Sequence, residues 1–183
     1  MILIVKSNFI VPPMSRQEIR RDAFLIRKAL GIENNLYIDV LKLLEIVLPG
    51  IYPEFDYEIR PDSEMEGFLG RMDVEEKKII LPESVYLGAG DPTYPNHGWH
   101  RFTVTHEIGH FFEHSKVKPV LARGSDYKCY CDPEWQANAF AGEFLVPYHL
   151  TKDMSPIEIQ KKCMVSKSAA QVQWNAMHKK RAL

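Results

Sequence analysis

The chain has 183 residues, 45% apolar and 26% charged, a balance that fits one soluble domain with a real core. Its formal net charge of −1 argues against whole-surface electrostatic capture of nucleic acid or membrane. The opening Met1-Ile2-Leu3-Ile4-Val5 is too short for the apolar core of a signal peptide, and no run approaches transmembrane length. Three cysteines (Cys129, Cys131 and Cys163) cannot make a disulfide framework and read as reduced thiols, so a cytoplasmic protein is expected.

Residues 1–13 read as a strand or extended arm. Ser15-Arg16-Gln17-Glu18 is a capping box that starts a helix through Leu30, closed by Gly31. A second helix is predicted from Ile38 to Leu48, stopping at Pro49-Gly50. The period then changes. Phe55 to Ile59 alternates like a strand, and Glu66–Asp73 and Lys77–Leu81 read as two strands around Val74-Glu75-Glu76. An exposed edge of such a sheet can pair with an extended peptide. Leu87 to Gly98, rich in Gly, Pro and Asp, reads as a surface loop.

The run from Trp99 to Lys118 contains no proline, and Val104, Ile108, Phe111 and Phe112 recur at helical spacing. Within it stands His106-Glu107-Ile108-Gly109-His110. On a helix, residues i and i+4 share a face, so His106 and His110 can present two imidazole nitrogens to one metal ion. Glu107 lies about 100° round the helix, placed to reach a water rather than to join the ligands. This is the pattern of a zinc hydrolase. Gly109 costs about 1 kcal/mol relative to alanine inside a helix, which calls for another segment in close approach.

A third ligand is expected from the next helix, which Asp132 caps, Pro133 opens and Pro147 stops. Glu134 and Glu143 lie on opposite sides of it. The face shared with Ala137 and Asn138 favours Glu134. Asn138 would then hydrogen-bond a liganding histidine and fix its ring. Glu143 reads as a solvated carboxylate and His114 as an exposed helix-end histidine; His149 and His178 have no partners at ligand spacing. Tyr94, His97, His100, Tyr127 and Tyr130 are candidates to steady an oxyanion, with nothing to choose among them.

From Thr151 onward the charge is about +5, against about −6 for the remainder. Ser155-Pro156-Ile157-Glu158 is a second capping box, and the tail reads as helix, tight turn and helix with Ser166 as cap. In outline this is a helix-turn-helix, with Gln171, Gln173 and Asn175 available to base edges. It lacks a third helix and obvious phosphate-binding arginines. Packing of Ile157, Val165, Val172, Trp174 and Met177 on the preceding domain is therefore favoured over DNA binding.

His106-Glu107-Ile108-Gly109-His110-Phe111, followed by Glu134, Ala137, Asn138, Phe140, Ala141, Phe144, Leu145 and Pro147, resembles the ImmA/IrrE family of metallopeptidases. The resemblance runs from about Glu66 to Pro147. It implies an α+β, zincin-like minimal metalloprotease domain over residues 1–150, with a small twisted sheet packed on helices that include the His-Glu helix. Residues 151–183 would add the helical pair. It further implies one zinc ion held by His106, His110 and Glu134, as in gluzincins, with Glu107 as catalytic base. Members of that family act inside bacteria, often from phage or mobile elements, and cleave or inactivate helix-turn-helix repressors. The stretch from Leu87 to His100 looks longer than the family's usual connection.

Overall fold

The computed structural model describes residues 8–121 and 127–178. The expected features at residues 1–7, 122–126 and 179–183 lie outside the described residues. The architecture is α+β. A short strand β1 (Phe9–Ile10) pairs antiparallel with β5 (Val120–Leu121). Between and after them run α1 (Arg16–Ala29), α2 (Val40–Lys42), α3 (Leu48–Ile51), α4 (Glu83–Gly90), α5 (His97–His114), α6 (Pro133–Leu145), α7 (Tyr148–Thr151), α8 (Pro156–Cys163) and α9 (Lys167–His178). The second sheet has the order β2 (Asp56–Arg60), β4 (Lys78–Pro82), β3 (Arg71–Asp73).

The capping signals set the helix ends as expected. Ser15 accepts from the Glu18 amide while the Glu18 carboxylate accepts from the Ser15 amide, and Gly31 leaves α1 with φ +67°. Ser155 and Glu158 repeat the box on α8. Ser166 accepts from the Ala169 amide at the start of α9. Asp132 caps α6, and Pro133 takes its first turn.

Pro49 does not end the second helix. The chain widens into a π-helical stretch over Leu43–Val47, where the Leu48 amide reaches Leu43 O, and continues to Ile51. Proline has no N–H to give the preceding turn, and the wider turn absorbs that loss. In the sheet, β3 and β4 form the expected antiparallel pair, with Lys77 at φ +51° in the turn, while β2 pairs parallel to β4. Glu66 to Gly70 does not join β3, because Glu66 and Gly67 have φ of +51° and +84° and turn the chain away from extended geometry.

Half of the predicted loop from Leu87 to Gly98 is helical. Residues 83–90 form α4, residues 91–96 connect, and α5 begins at His97 after Asn96 in the left-handed region. Gly88 and Gly90, which argue against a helix by propensity, let α4 pack closely. A Cβ on Gly88 would sit 2.3 Å from the His100 ring, and one on Gly90 2.8 Å from Leu41. Tertiary packing outweighs propensity here.

The core lies where α5, α6 and α4 meet the inner face of the sheet, around Ile79, Leu81, Val104, Ile108, Phe140 and Phe144. The C-terminal pair joins it through Ile159, Cys163, Val165 and Ala170. Ile157 and Val172, expected to be inside, are instead 64% and 60% exposed, since the buried stripe of each helix is set by the surface it meets. Two contacts clamp this pair to α5. Gly98 leaves room for the backbone of Val165 and Ser166, whose atoms would stand 2.5–2.6 Å from a Cβ there. The buried Arg101 guanidinium donates to Cys163 O, Met164 O and Ile38 O at 2.6–2.8 Å.

Arg101→Met should destabilise the fold by about 3 kcal/mol in urea denaturation, because three buried carbonyls lose charge-assisted partners. A loss under about 1 kcal/mol would contradict that role. On α5, burial with the Asp22 charge pushes the Glu113 carboxyl up to about 7. The folded state therefore holds this proton more tightly than the unfolded chain, and stability falls as pH rises from about 4.5 towards 7. Glu113→Gln should flatten that part of the stability–pH curve; an unchanged slope would contradict it.

Candidate metal centre

His106 and His110 project from one face of α5. Opposite them, α6 crosses at Gly109, where an added Cβ would come within 3.1 Å of Phe140 and 3.2 Å of Ala137 O. The close approach that Gly109 called for is thus made by α6. It sets Glu134, one turn before Ala137, level with the two imidazoles. His106 Nε2 lies 3.2 Å from Glu134 Oε2 and His110 Nε2 lies 3.4 Å from Glu134 Oε1. The two Nε2 atoms are 3.1 Å apart.

Two imidazole lone pairs at that distance repel unless a proton or a cation lies between them. Four-coordinate zinc, with bonds of about 2.0–2.1 Å, places neighbouring donors roughly 3.3 Å apart. Each imidazole nitrogen lies near that edge length from the other and from one oxygen of the Glu134 carboxylate, and two nitrogens with a carboxylate are donors that zinc accepts. The residues fit the ion. The imidazoles are mostly covered, at 15% and 12% side-chain exposure, while Glu134 at 39% lines the open side.

Each of the two imidazoles is held from behind. His106 Nδ1 meets Asn138 Oδ1 at 3.2 Å. His110 Nδ1 meets His114 Nδ1 at 3.0 Å. His114 is not the exposed residue that its place at the helix end suggested. It is 4% exposed, and burial, with the neighbouring His110, pushes its pKa down to about 4. Burial opposes charge on both His106 and Glu134. The hydrogen bonds and opposite charges of the cluster, taken together, outweigh it: Glu134, Glu107 and Asn138 raise the His106 pKa, and His106 and His110 hold the Glu134 carboxyl well below the usual carboxylate range.

Glu107 is 5% exposed and lies beside the start of β3. The Met72 amide donates to its carboxylate, and a Cβ on Gly70 would stand 2.7 Å from its Oε1. Burial raises the Glu107 pKa, with the Glu134 charge adding to the effect; His106, His110 and the Met72 N–H pull the other way without cancelling it.

Glu143 does not face solvent. Its side chain is fully buried on the opposite side of α6, where Arg16 Nε and Arg20 Nε each approach within 2.8 Å. Nothing near Glu143 in the sequence announces this, since its partners stand on α1. Of the oxyanion candidates, His97 is bonded through Nδ1 to Gly88 O, and His100 is buried between Tyr94 and Trp99. Tyr127 lies within electrostatic reach of Glu134; its pKa is raised by burial and then by Asp132 and Glu134. Among the described residues, His106, His110 and Glu134 are the one group of His, Cys, Asp or Glu donors close enough to hold a metal, with donor atoms within 4.8 Å of one another. Cys129, Cys131 and Cys163 are free thiols.

Residues 96–174 match the family model Peptidase_M78, described as the IrrE N-terminal-like domain. The match begins just before α5 and ends within α9, so it takes in both helices that carry the site and most of the C-terminal pair. Comparison with curated proteins and with solved structures found no match.

Gly70→Ala should push the Glu107 carboxylate from its seat. Peptidase turnover should drop by about tenfold or more with bound metal unchanged, measured side by side with wild type. Turnover equal to wild type would show that the close contact carries no function.

Proposed function

We propose that the chain, whose residues 96–174 match the IrrE N-terminal-like domain model, is a zinc-dependent, gluzincin-like endopeptidase. Its ligands are His106, His110 and Glu134, and its general base is Glu107. The observation that carries this reading is the convergence of two imidazole nitrogens and one carboxylate at 3.1–3.4 Å, with a second, buried carboxylate beside them. Zinc, when bound, supplies a Lewis acid that polarises the scissile carbonyl and makes water acidic near neutral pH.

The chain's own residues do the rest. Glu107 accepts the proton of the attacking water and returns it to the leaving amine. The Met72 amide and the tight fit against Gly70 hold that carboxylate in one orientation. Asn138 holds the His106 ring. The substrate enters as an extended segment along β3, the edge strand of the sheet on the Glu107 side, with Phe68 and Leu69 exposed just before it.

By resemblance to the ImmA/IrrE family, the substrate is a helix-turn-helix transcriptional repressor, cleaved or otherwise inactivated to switch on genes in a phage or mobile element. A cytoplasmic setting suits this substrate and the three free thiols. Among the described residues, no helix is long and apolar enough to cross a membrane. The C-terminal pair is read as part of the same packed unit rather than as a DNA reader. Gln173, one of its three candidate base-contacting residues, is 1% exposed and accepts a hydrogen bond from Arg16. The other two, Gln171 and Asn175, are bonded to each other.

Glu107→Gln should keep zinc yet yield no fragments when incubated with a candidate helix-turn-helix repressor, while wild type yields discrete fragments that a chelator abolishes. An intact, co-eluting complex with both proteins would favour a sequestering protein instead. Undiminished cleavage by the variant would remove Glu107 as the base.

A further inference from the structure

A line of polar contacts runs from His110 away from the candidate cation position to the N-terminal arm. His110 Nδ1 faces His114 Nδ1 at 3.0 Å, and His114 Nε2 faces Gln136 Oε1 at 2.9 Å. The Gln136 Nε2 group donates to both Pro12 O and Tyr130 O at 2.8 Å. His114 is 4% exposed and Gln136 is 1% exposed. A glutamine amide has a donor end and an acceptor end, and this one cannot be reversed. Turned round, its oxygen would face two carbonyl oxygens at 2.8 Å.

The direction of every bond in the line follows from that. Gln136 Oε1 can only accept, so His114 donates from Nε2. A neutral imidazole has one N–H, so His114 Nδ1 must accept, and the His110 nitrogen facing it must donate. The His110 ring then carries its proton on Nδ1. Its bare Nε2 points at His106 Nε2 and Glu134 Oε1. The opposite direction requires a buried His114 imidazolium whose two partners are a neutral amide and a neutral ring, an arrangement that burial disfavours. It would also set a proton on the His110 nitrogen that faces the ligand cluster.

We infer that His114 is a positioning residue for His110, holding it in the tautomer able to ligate a cation, and that Gln136 sets the direction of that hold. The inference rests on the cation site proposed above. It gives the two histidines unlike supports: Asn138 acts directly on His106, while His110 is held through a second imidazole whose anchor is the backbone at Pro12 and Tyr130. A histidine that merely fills space at the end of α5 would have no preferred tautomer and no influence on the affinity for zinc.

The test uses the full chain labelled with 15N at histidine. Long-range proton–nitrogen spectra of the zinc-loaded wild type should show His114 protonated on Nε2 and His110 on Nδ1. Chelator competition should show His114→Phe and Gln136→Met binding zinc about ten- to a hundredfold more weakly than wild type. A His114 proton on Nδ1, or wild-type affinity in both variants, overturns the inference and leaves the metal site standing. Wild type that binds no zinc overturns both. The wild-type spectrum decides even where the His114→Phe variant fails to fold.

Discussion

The contact between α5 and α6 at Gly109 is the constraint on which the site depends. Any side chain there would press on Phe140 and the Ala137 carbonyl at 3.1–3.3 Å and hold the helices apart. With glycine, Glu134 arrives beside His106 and His110, one carboxylate oxygen facing each imidazole. The helix-forming tendency lost at Gly109 is about 1 kcal/mol, small beside the gain from a closely packed aromatic core.

The other conspicuous polar features hold those two helices in register. On the far side of α6 from Glu134, the buried Glu143 carboxylate is met by Arg16 and Arg20, which fixes α6 against α1. A buried carboxylate is tolerable only with such partners, and removing both arginines would leave an unpaired charge in the core. At the other end of α5, Arg101 and Gly98 bind the turn between α8 and α9. The sheet contributes from a third side, because the start of β3 presses on Glu107 through Gly70 and the Met72 amide. Rigid elements thus meet around the four side chains of the proposed site, His106, His110, Glu134 and Glu107, and precise placement of catalytic groups requires such support.

Local sequence carries much of this and stops where long-range partners decide. The capping boxes at Ser15 and Ser155, the Asp132 cap and the β3–β4 pair were legible because their partners lie within a few residues. His106, His110 and Glu134 were legible because helical periodicity says which residues share a face. Periodicity does not say what that face meets. Glu143 looked solvated because Arg16 and Arg20 are more than a hundred residues away. His114 looked exposed because Gln136 is on another helix. The second half of α4 looked like a loop because its two glycines, costly to an isolated helix, are what allow it to lie against His100 and Leu41. The C-terminal pair was read as packed, but Ile157 and Val172 proved to be on its outer side.

The most direct test of the central claim is anomalous diffraction at the zinc edge from a crystal of the full chain grown with zinc. The account predicts one strong peak within about 2.0–2.3 Å of His106 Nε2, His110 Nε2 and a Glu134 carboxylate oxygen. No peak between those three side chains, or zinc held instead at Cys129 and Cys131, would contradict it.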